Sequence, residues 1–317
     1  MAPLLVFVLV YAYGINGLGK GQRQAHGRPV KVALLQPDIG VQRKFDPSLV
    51  GLNTRINLQI YNEGCKKRPD LMVFPETTLP FPLFQEPERT LQFLKAVDRC
   101  GVPTVVGTYH WHKLQDGYYS SNRAYLLNAK GMTLSWYDKV HLVPFGEYVP
   151  LKSVLPFITQ MVGFKNGFTP GNGTRPLPFA RGNLGILICY EAIFPGIARD
   201  EVRQGAEILV NMSNDAWFGK TLAPYQHLAA AVFRAVENRR WLVRATNSGI
   251  SAFVDPWGRV VERGGLFKRE VLVHKVYPRK GLTVAARWGD WFAWLCLFLT
   301  GAMAATLFVK AGGEKTP

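Results

Sequence analysis

The sequence has few cysteines and few charges, and it contains no internal repeat or low-complexity segment. Its 317 residues include 4 cysteines, none of them in a CxxC pair, which excludes a disulfide scaffold and a zinc ribbon. Charged residues make up 19% and apolar residues 48%, which argues against a disordered chain and a coiled coil. Glycine and proline are frequent but follow no period, so a collagen-like chain is excluded.

Two of the cysteines, Cys65 and Cys100, fall near the ends of predicted helices. The preferred interpretation is a pair of unconnected thiols. A disulfide between them is the alternative, and it would require an oxidising compartment.

Charge is strongly biased towards one sign. Lysine and arginine number 38 against 22 acidic residues, which gives a formal net charge of +16. Such an excess favours anionic partners such as nucleic acid or an anionic membrane surface. The basic residues are dispersed and form no recognised nucleic-acid-binding motif, so no nucleic-acid partner is expected. Basic side chains that face phospholipid headgroups would explain part of the excess.

The C-terminal end of the chain is apolar. Trp291–Val309 contains 19 residues without a charge and would reach about 28 Å at ~1.5 Å per residue, close to the thickness of a bilayer's hydrocarbon core. Tryptophan at its start and Lys310 at its end are typical of the membrane–water interface. The prediction is a transmembrane helix over residues 288–310, followed by a tail over 311–317.

The N-terminal end is apolar over a shorter distance. Pro3–Tyr13 has only 11 residues, lacks the positive start of a signal peptide and has no small-residue cleavage site close behind it. It is interpreted as a partial transmembrane or anchor segment over residues 1–19. The glycine-rich stretch Gly14–Arg28 is typical of a flexible linker, which we place at residues 20–29.

Between these ends, short apolar runs alternate with helical stretches, which predicts an α/β domain over residues 30–280 with about ten strands. The predicted strands are Val30–Gln36, Asp70–Phe74, Thr104–His110, Ala124–Asn128, Thr133–Trp136, Leu184–Cys189, Glu207–Met212, Trp241–Thr246, Ile250–Asp255 and Val271–Val276. The predicted helices are Pro47–Cys65, Pro87–Cys100, one after Pro195, and Thr221–Arg239.

Reactive side chains follow two of these strands. Glu76 comes just after one predicted strand, and Cys189 ends another. Because ligands bind beyond the carboxyl ends of strands in α/β sheets, this carboxylate and this thiol are expected to face one pocket. Lys139 is a third candidate. Each residue alone also fits an ordinary structural role: a core thiol, a loop carboxylate or a surface lysine.

The three residue types suit nucleophilic acyl chemistry. A thiol with an ordinary pKa of about 8.5 is mostly protonated near neutral pH, so Glu76 would act as its general base. The ammonium of Lys139 would favour the thiolate of Cys189 and then stabilise an oxyanion, with the backbone N–H of Tyr190 as a second donor. The product is a thioester, and this scheme needs no metal and no cofactor.

The three motifs together resemble those of the nitrilase, or carbon–nitrogen hydrolase, superfamily. The matching runs are Phe-Pro-Glu at 74–76, Tyr-Asp-Lys-Val-His-Leu at 137–142 and Ile-Cys-Tyr-Glu at 188–191. The resemblance covers about residues 30–277. It implies a four-layer αββα sandwich in which Glu76, Lys139 and Cys189 are catalytic.

Within that superfamily, the closer resemblance is to the apolipoprotein N-acyltransferases. It is carried by the runs Pro75–Pro80, Lys139–Pro150 and Ser213–Gly219, and by an apolar helix after the domain. It implies that a phospholipid donates an acyl chain to Cys189. The chain would then pass to the α-amino group of the diacylglyceryl-cysteine at the N-terminus of a lipoprotein.

The same resemblance implies supporting roles and a location. Glu147 and Glu191 would orient Lys139 or the thiol, while Tyr190 and Trp217 would shape the pocket. The enzyme would lie in the bacterial inner (cytoplasmic) membrane with its catalytic domain on the periplasmic side. Members of that family carry a large multi-helix membrane domain before the catalytic domain, so the chain is expected to begin inside the last helix of such a domain.

A thioester survives only where water is excluded. Two apolar loops, Leu79–Phe84 and Leu155–Phe168, are therefore expected to line an acyl path or to enter lipid, rather than to fold onto the core.

Two other functions fit the same residues. A membrane-tethered nitrilase-type amidase would use the same triad with water as the second nucleophile and would release ammonia from small amides. A non-catalytic lipid- or lipoprotein-binding remnant would bind vesicles equally well with Cys189 replaced by alanine.

Overall fold

Two β-sheets form the centre of the domain in the computed structural model, which describes residues 2–21, 28–44, 46–114, 117–150 and 167–313. The strands are β1 (Val30–Gln36), β2 (Leu71–Val73), β3 (Thr104–Leu114), β4 (Gly117–Leu127), β5 (Thr133–Asp138), β6 (Leu184–Ile188), β7 (Ile208–Ser213), β8 (Trp241–Thr246), β9 (Ala252–Val254), β10 (Val260–Arg263) and β11 (Glu270–Val276). Their order is β11-β1-β2-β3-β4-β5 in one sheet and β10-β9-β8-β7-β6 in the other.

Helices cover the outer faces of both sheets. The α-helices are α1 (Ala2–Gly21), α2 (Val41–Lys44), α3 (Val50–Lys66), α4 (Pro87–Cys100), α5 (Pro195–Arg203), α6 (Ala223–Asn238), α7 (Val284–Trp288) and α8 (Trp291–Gly313). Short 3-10 helices lie at Pro47–Leu49, Cys189–Ile193 and Asp215–Phe218.

The side-chain alternation of the strands explains the layering. On β1, Val32 and Leu34 point between the sheets and meet Ile186 of β6 and Val210 of β7. The intervening residues of β1 point the other way, into a second apolar cluster with α3 and α4. A third cluster joins β6 to β8 with α5 and α6. Burying each such aliphatic side chain contributes about 1.5–3 kcal/mol, so both faces of each sheet must be covered. The predicted four-layer αββα sandwich is confirmed.

Parallel strands dominate the part of each sheet that carries the site. Strands β1, β2 and β3 are parallel, as are β6, β7 and β8. Their carboxyl ends therefore meet at one edge of the sandwich, where loops carry side chains into a shared space. Antiparallel strands widen each sheet at its sides.

Most element positions agree with the sequence pattern, and the exceptions have local reasons. Strand β10 was not predicted, because its four residues form a mostly exposed edge strand without an apolar run. Helix α3 begins at Val50 rather than at Pro47. The Asp46 side chain accepts a hydrogen bond from the Ser48 N–H at 2.8 Å, which caps the preceding 3-10 turn instead.

The N-terminal helix is longer than its apolar run. Helix α1 continues to Gly21, so the prediction of a flexible linker from Gly14 onward is wrong over residues 14–21. Glycine has a poor helix propensity, which is why the pattern favoured a linker. Gly17, however, lies against Trp257 and the Arg239 guanidinium, a tertiary contact that supports the helix there. Residues 22–27 lie outside the described residues.

A disulfide joins Cys65 and Cys100, with 5.7 Å between their α-carbons. The expectation of two unconnected thiols is therefore wrong. The two cysteines lie at the C-terminal ends of α3 and α4, which pack side by side on one sheet. That alignment depends on the tertiary arrangement of two helices, which local sequence does not reveal.

Helix α8 follows the domain at the C-terminus. Its segment Trp291–Phe308 has a mean hydropathy of 1.8, and none of it is buried. Among the described residues, it is the one helix whose length and composition suffice to cross a membrane. The apolar part of α1, Leu4–Gly17, is shorter.

Candidate active site

The three candidate catalytic residues come from three strand ends. Glu76 follows β2, Lys139 follows β5 and Cys189 follows β6. The Lys139 Nζ lies 3.6 Å from the Glu76 Oε1. The charges of Glu76 and Lys139 both act on the Cys189 thiol, so all three groups lie at one edge of the sandwich.

The Glu76 carboxylate is held by donors on both oxygens. Its Oε1 accepts a hydrogen bond from the Asn122 side chain at 2.7 Å. Its Oε2 accepts one from the Asn214 backbone N–H at 3.0 Å. Asn122 lies on β4 of one sheet and Asn214 follows β7 of the other, so the carboxylate bridges the two sheets. This fixes its orientation before any substrate binds.

Lys139 is 1% exposed and donates a hydrogen bond to the Glu147 Oε1 at 2.8 Å. Burial alone would lower the pKa of Lys139, but the charges of Glu76, Cys189 and Glu147 outweigh it and raise that pKa above its ordinary value. The ammonium is therefore charged at neutral pH. The other Glu147 oxygen accepts from the Val143 N–H at 2.8 Å, so Glu147 ties Lys139 to its own loop.

Cys189 occupies a sharp turn between β6 and a 3-10 helix. Its φ of 53° places it in the left-handed region, which costs a non-glycine residue about 1–2 kcal/mol. Burial and the charge of Glu76 raise the pKa of its thiol to about 12, against the opposing effect of Lys139. The resting thiol is therefore protonated at neutral pH.

Glu191 acts on backbone rather than on a catalytic side chain. Its carboxylate accepts hydrogen bonds from the N–H groups of Ile188 at 2.7 Å, Val140 at 2.7 Å and His141 at 3.1 Å, and from the Tyr137 hydroxyl at 3.0 Å. It thereby joins the loop after Lys139 to the turn at Cys189. Burial raises its pKa to about 7, although these donors oppose the shift.

The two aromatic candidates lie in different places. Tyr190 is half-buried and packs edge-on against Phe194, with ring centroids 5.3 Å apart. Trp217 lies on the 3-10 helix after β7 and is 64% exposed. It is thus at the outer rim of this edge rather than inside it.

A buried ionic network beneath Cys189 was missed by the sequence interpretation. His227 of α6 donates from Nε2 to the Cys189 carbonyl oxygen at 3.1 Å, and its Nδ1 lies 3.0 Å from the Asp215 Oδ1. Arg244 of β8 donates to the Asp215 Oδ2 at 2.7 Å. Burial would raise the pKa of Asp215, but Arg244 and His227 hold it well below its usual range. An arginine within the apolar strand Trp-Leu-Val-Arg-Ala-Thr is the signal that could have revealed this network.

Ser213 of β7 belongs to the same network. Its hydroxyl donates to the Asp215 Oδ1 at 2.7 Å. Asn211, two residues earlier on β7, donates to the Leu187 carbonyl at 2.8 Å. The turn at Cys189 is therefore held through its main chain.

A second lysine was also missed. Lys44 of α2 is buried and donates from Nζ to the Glu76 carbonyl oxygen at 2.9 Å. Burial lowers its pKa to about 8, although the charges of Glu76 and Cys189 oppose the shift. Nothing in the local sequence distinguishes it from a surface lysine.

The apolar loop Leu79–Phe84 does not line a path to the site. Leu79, Phe81 and Leu83 are buried in the cluster beneath α3 and α4, so the expectation of a lipid-facing loop is wrong for them. Only Phe84 at its end is exposed. Of the second loop, residues 155–166 lie outside the described residues, and Phe168 stacks on Tyr109.

A model of the carbon–nitrogen hydrolase family matches residues 31–280 of the chain. The chain belongs to the carbon–nitrogen hydrolase family. The matched region begins in β1 and ends after β11, so it contains both sheets and every candidate catalytic residue.

Among the carbon–nitrogen hydrolases, the chain is similar to proteins named apolipoprotein N-acyltransferase. The chain is 41% identical to an apolipoprotein N-acyltransferase of Geobacter metallireducens, over 96% of the chain and 58% of that relative. It is 33% identical to the apolipoprotein N-acyltransferase of a Synechocystis species, over 86% of the chain and 51% of that relative. The chain thus spans between half and three fifths of the length of these two relatives.

Solved structures show the same carbon–nitrogen hydrolase fold. Nit3 of Saccharomyces cerevisiae, a member of branch 10 of the nitrilase superfamily, superposes with a TM-score of 0.62 at 21% identity, over 80% of the chain and 92% of Nit3. A carbon–nitrogen hydrolase from Helicobacter pylori gives a TM-score of 0.60 at 19% identity, over 78% of the chain and 88% of that protein. At this level of identity the likeness concerns the fold alone.

Proposed function

We propose that the chain is an N-acyltransferase that moves a fatty acyl chain from a phospholipid to the amino group of a lipoprotein's N-terminal diacylglyceryl-cysteine. The observation that carries this proposal is the 41% identity over 96% of the chain to an apolipoprotein N-acyltransferase. The buried cluster of Glu76, Lys139 and Cys189 supports it, because acyl transfer needs a base, a cation and a nucleophile within reach of one carbonyl.

In the first half-reaction, Glu76 takes the thiol proton while the Cys189 sulfur attacks the ester carbonyl of the phospholipid. Lys139 stabilises the oxyanion, assisted by the backbone N–H of Tyr190. Collapse of the tetrahedral intermediate breaks the bond to the glycerol oxygen, and the proton on Glu76 passes to that oxygen. The products are a thioester on Cys189 and a lysophospholipid.

In the second half-reaction, the α-amino group of the acceptor attacks the thioester carbonyl. Glu76 takes the proton that this nitrogen loses, and Lys139 again stabilises the oxyanion. Breaking the carbon–sulfur bond releases the amide and a thiolate, which recovers the proton from Glu76. The raised pKa of Cys189 favours that return, because the buried thiolate is the less stable form.

We also propose that α8 crosses the bacterial inner (cytoplasmic) membrane and that the domain faces the periplasm. The length and composition of α8 support the span. The Cys65–Cys100 disulfide supports the periplasmic side, because disulfides persist in oxidising compartments.

The proposal is tested with the purified chain in phospholipid vesicles and a diacylglyceryl-cysteine peptide. We expect mass spectrometry to show a peptide with one additional acyl chain, formed by the wild type and not by Cys189→Ala. Ammonia release from small amides without acyl transfer would instead indicate an amidase. Vesicle binding without turnover, equal in both proteins, would indicate a non-catalytic lipid-binding protein.

A further inference from the structure

One outer helix of the sandwich exposes an apolar surface. Leu222, Tyr225, Ala229 and Phe233 recur at helical spacing along α6 and the residue before it, and we call this set the α6 apolar face. Leu222 is 73% exposed, Tyr225 47% and Phe233 61%. No described residue covers them, so about 17 Å of helix, at ~1.5 Å per residue from Leu222 to Phe233, presents an apolar outer surface.

The outer helix of the other sheet provides the contrast. Helix α4 is exposed mainly through charged and polar residues, among them Glu88, Lys95 and Asp98. Leu91 is its single exposed large apolar side chain. The outer face of α4 is therefore polar, as is usual for a surface in contact with water, whereas the outer face of α6 is apolar.

Both apolar terminal helices attach beside the C-terminal half of α6. Gly17 of α1 lies against Trp257 and Arg239, and the neighbouring Gly258 packs onto Val232 and Val236 of α6. On the other side, the Thr283 hydroxyl before α7 donates to the Glu237 carbonyl at 2.5 Å. Helix α8 begins three residues after α7 ends.

Residues that membrane interfaces favour lie near the C-terminal end of α6. Arg239 and Arg279 lie over the Trp257 ring at 5.9 Å and 4.9 Å from its centroid. Near the start of α8, Trp288 and Trp294 are exposed. Tryptophan belts and basic side chains that meet phosphate groups are characteristic of the bilayer surface.

We propose that the α6 apolar face lies on the surface of a lipid bilayer containing anionic phospholipid. This inference rests on α8 crossing the membrane, as in the proposed function. Because α1 and α8 are both apolar and both attach beside α6, their entry into the bilayer would bring the α6 apolar face to its surface. The net charge of +16 complements anionic headgroups.

This placement links the membrane to the catalytic edge. The exposed Trp217 precedes the α6 apolar face by five residues, and Asn214, just before it, holds the Glu76 carboxylate. A phospholipid that reaches the site from the bilayer would pass Trp217 first. The site would then receive its donor laterally from lipid rather than from water.

The test measures the environment of a spin label at residue 233 in the full chain. Phe233→Cys is made in a background of Cys189→Ser and Cys296→Ser, so that the only other cysteines are those of the disulfide. Leu91→Cys in the same background is the matched control on α4. Both proteins are reconstituted in vesicles of phosphatidylethanolamine with phosphatidylglycerol. Because the catalytic thiol is absent, the result does not depend on acyl transfer.

We expect the label at 233 to collide with oxygen several-fold more than with a water-soluble nickel complex, relative to the label at 91. A label at 233 that is as open to nickel as the one at 91 would overturn the proposal. A label shielded from both reagents would also overturn it, because protein would then cover the face. If Phe233→Cys fails to fold, Leu222→Cys serves the same comparison.

Discussion

Two clusters of buried charge flank Cys189, and they differ in what they hold. Glu76, Lys139 and Glu147 form the first, in which two carboxylates share one ammonium. Asp215 and Arg244 form the second, in which one carboxylate pairs with one guanidinium. In the first, the charge of Glu76 raises the pKa of the Cys189 thiol, whereas the second binds the main chain of the turn through His227. The first cluster thus surrounds the proposed reacting group, and the second supports the turn that carries it.

The difference also concerns proton affinity. In the first cluster, the thiol remains protonated beside a carboxylate that can receive its proton. In the second, Arg244 and His227 hold Asp215 as a carboxylate far below neutral pH. We therefore expect changes in the first cluster to affect turnover, and changes in the second to affect folding stability first.

The largest expected effect is that of Glu76→Gln on turnover. The amide cannot accept the thiol proton, so acyl transfer should fall by about 10²–10⁴-fold, the usual contribution of a general base. The melting temperature should change little, since the amide oxygen can still accept from Asn122 or Asn214. Transfer rates and thermal melts on the same preparation check this. Retention of full activity would remove Glu76 from the proposed mechanism.

Asp215→Asn should have the largest effect on stability. It leaves Arg244 buried without its counter-charge, and breaking a buried pair costs about 3–5 kcal/mol of unfolding free energy. Urea unfolding measures the loss. Glu86→Gln is the matched control, because Glu86 pairs with Arg89 at the exposed surface, where an ion pair contributes about 0–1 kcal/mol. Equal losses in the two variants would contradict the supporting role of the second cluster.

Glu147→Gln should reduce turnover less than Glu76→Gln. The ammonium of Lys139 keeps its charge through Glu76 but loses its closest carboxylate, so its orientation towards the oxyanion weakens. Loss of a hydrogen bond to a charged group costs about 1.5–3 kcal/mol, which corresponds to roughly 10–150-fold in rate. The maximal rate is expected to fall while the KM for phospholipid is unchanged. An effect confined to the KM would contradict this role.

The smallest effect concerns thiol reactivity. The charges of Glu76 and, less strongly, Asp215 raise the pKa of Cys189, so neutralising either one should lower that pKa. At a fixed pH below about 12, the thiolate fraction and the rate of iodoacetamide alkylation should then rise, more in Glu76→Gln than in Asp215→Asn. Alkylation rates across a pH series provide the measurement. The opposite order would show that the second cluster acts on the thiol more than on the main chain.

Much of the fold follows from local pattern, and strand β1 and helix α4 show why. Both have the predicted bounds, because one is a continuous apolar run and the other begins at a proline and ends before a glycine in the left-handed conformation. The same local rules fail for α1, where a contact at Gly17 supports helix beyond the apolar run. They also fail for Leu79–Leu83, which lies in the core, because a loop that enters lipid and a loop that packs into the core have the same apolar sequence pattern.

The site divides in the same way. Glu76, Lys139 and Cys189 could be predicted as candidates because each belongs to a recognisable motif at a strand end, and the structure brings them to one edge. Lys44 and His227 were missed because their importance arises from contacts with residues 32 and 38 positions away, at the Glu76 and Cys189 carbonyls. The Cys65–Cys100 pairing likewise depends on how two helices align. Distant contacts of this kind leave no local pattern.

The most direct test of a thioester on Cys189 is the intact mass of the protein after incubation with phospholipid vesicles alone. Without an acceptor, we expect a mass increase of one fatty acyl group in the wild type, absent from Cys189→Ala and removed by adding a diacylglyceryl-cysteine peptide. An acyl group that persists in Cys189→Ala would contradict a thioester on Cys189. So would a wild-type protein that never gains the acyl group while its thiol remains open to alkylation.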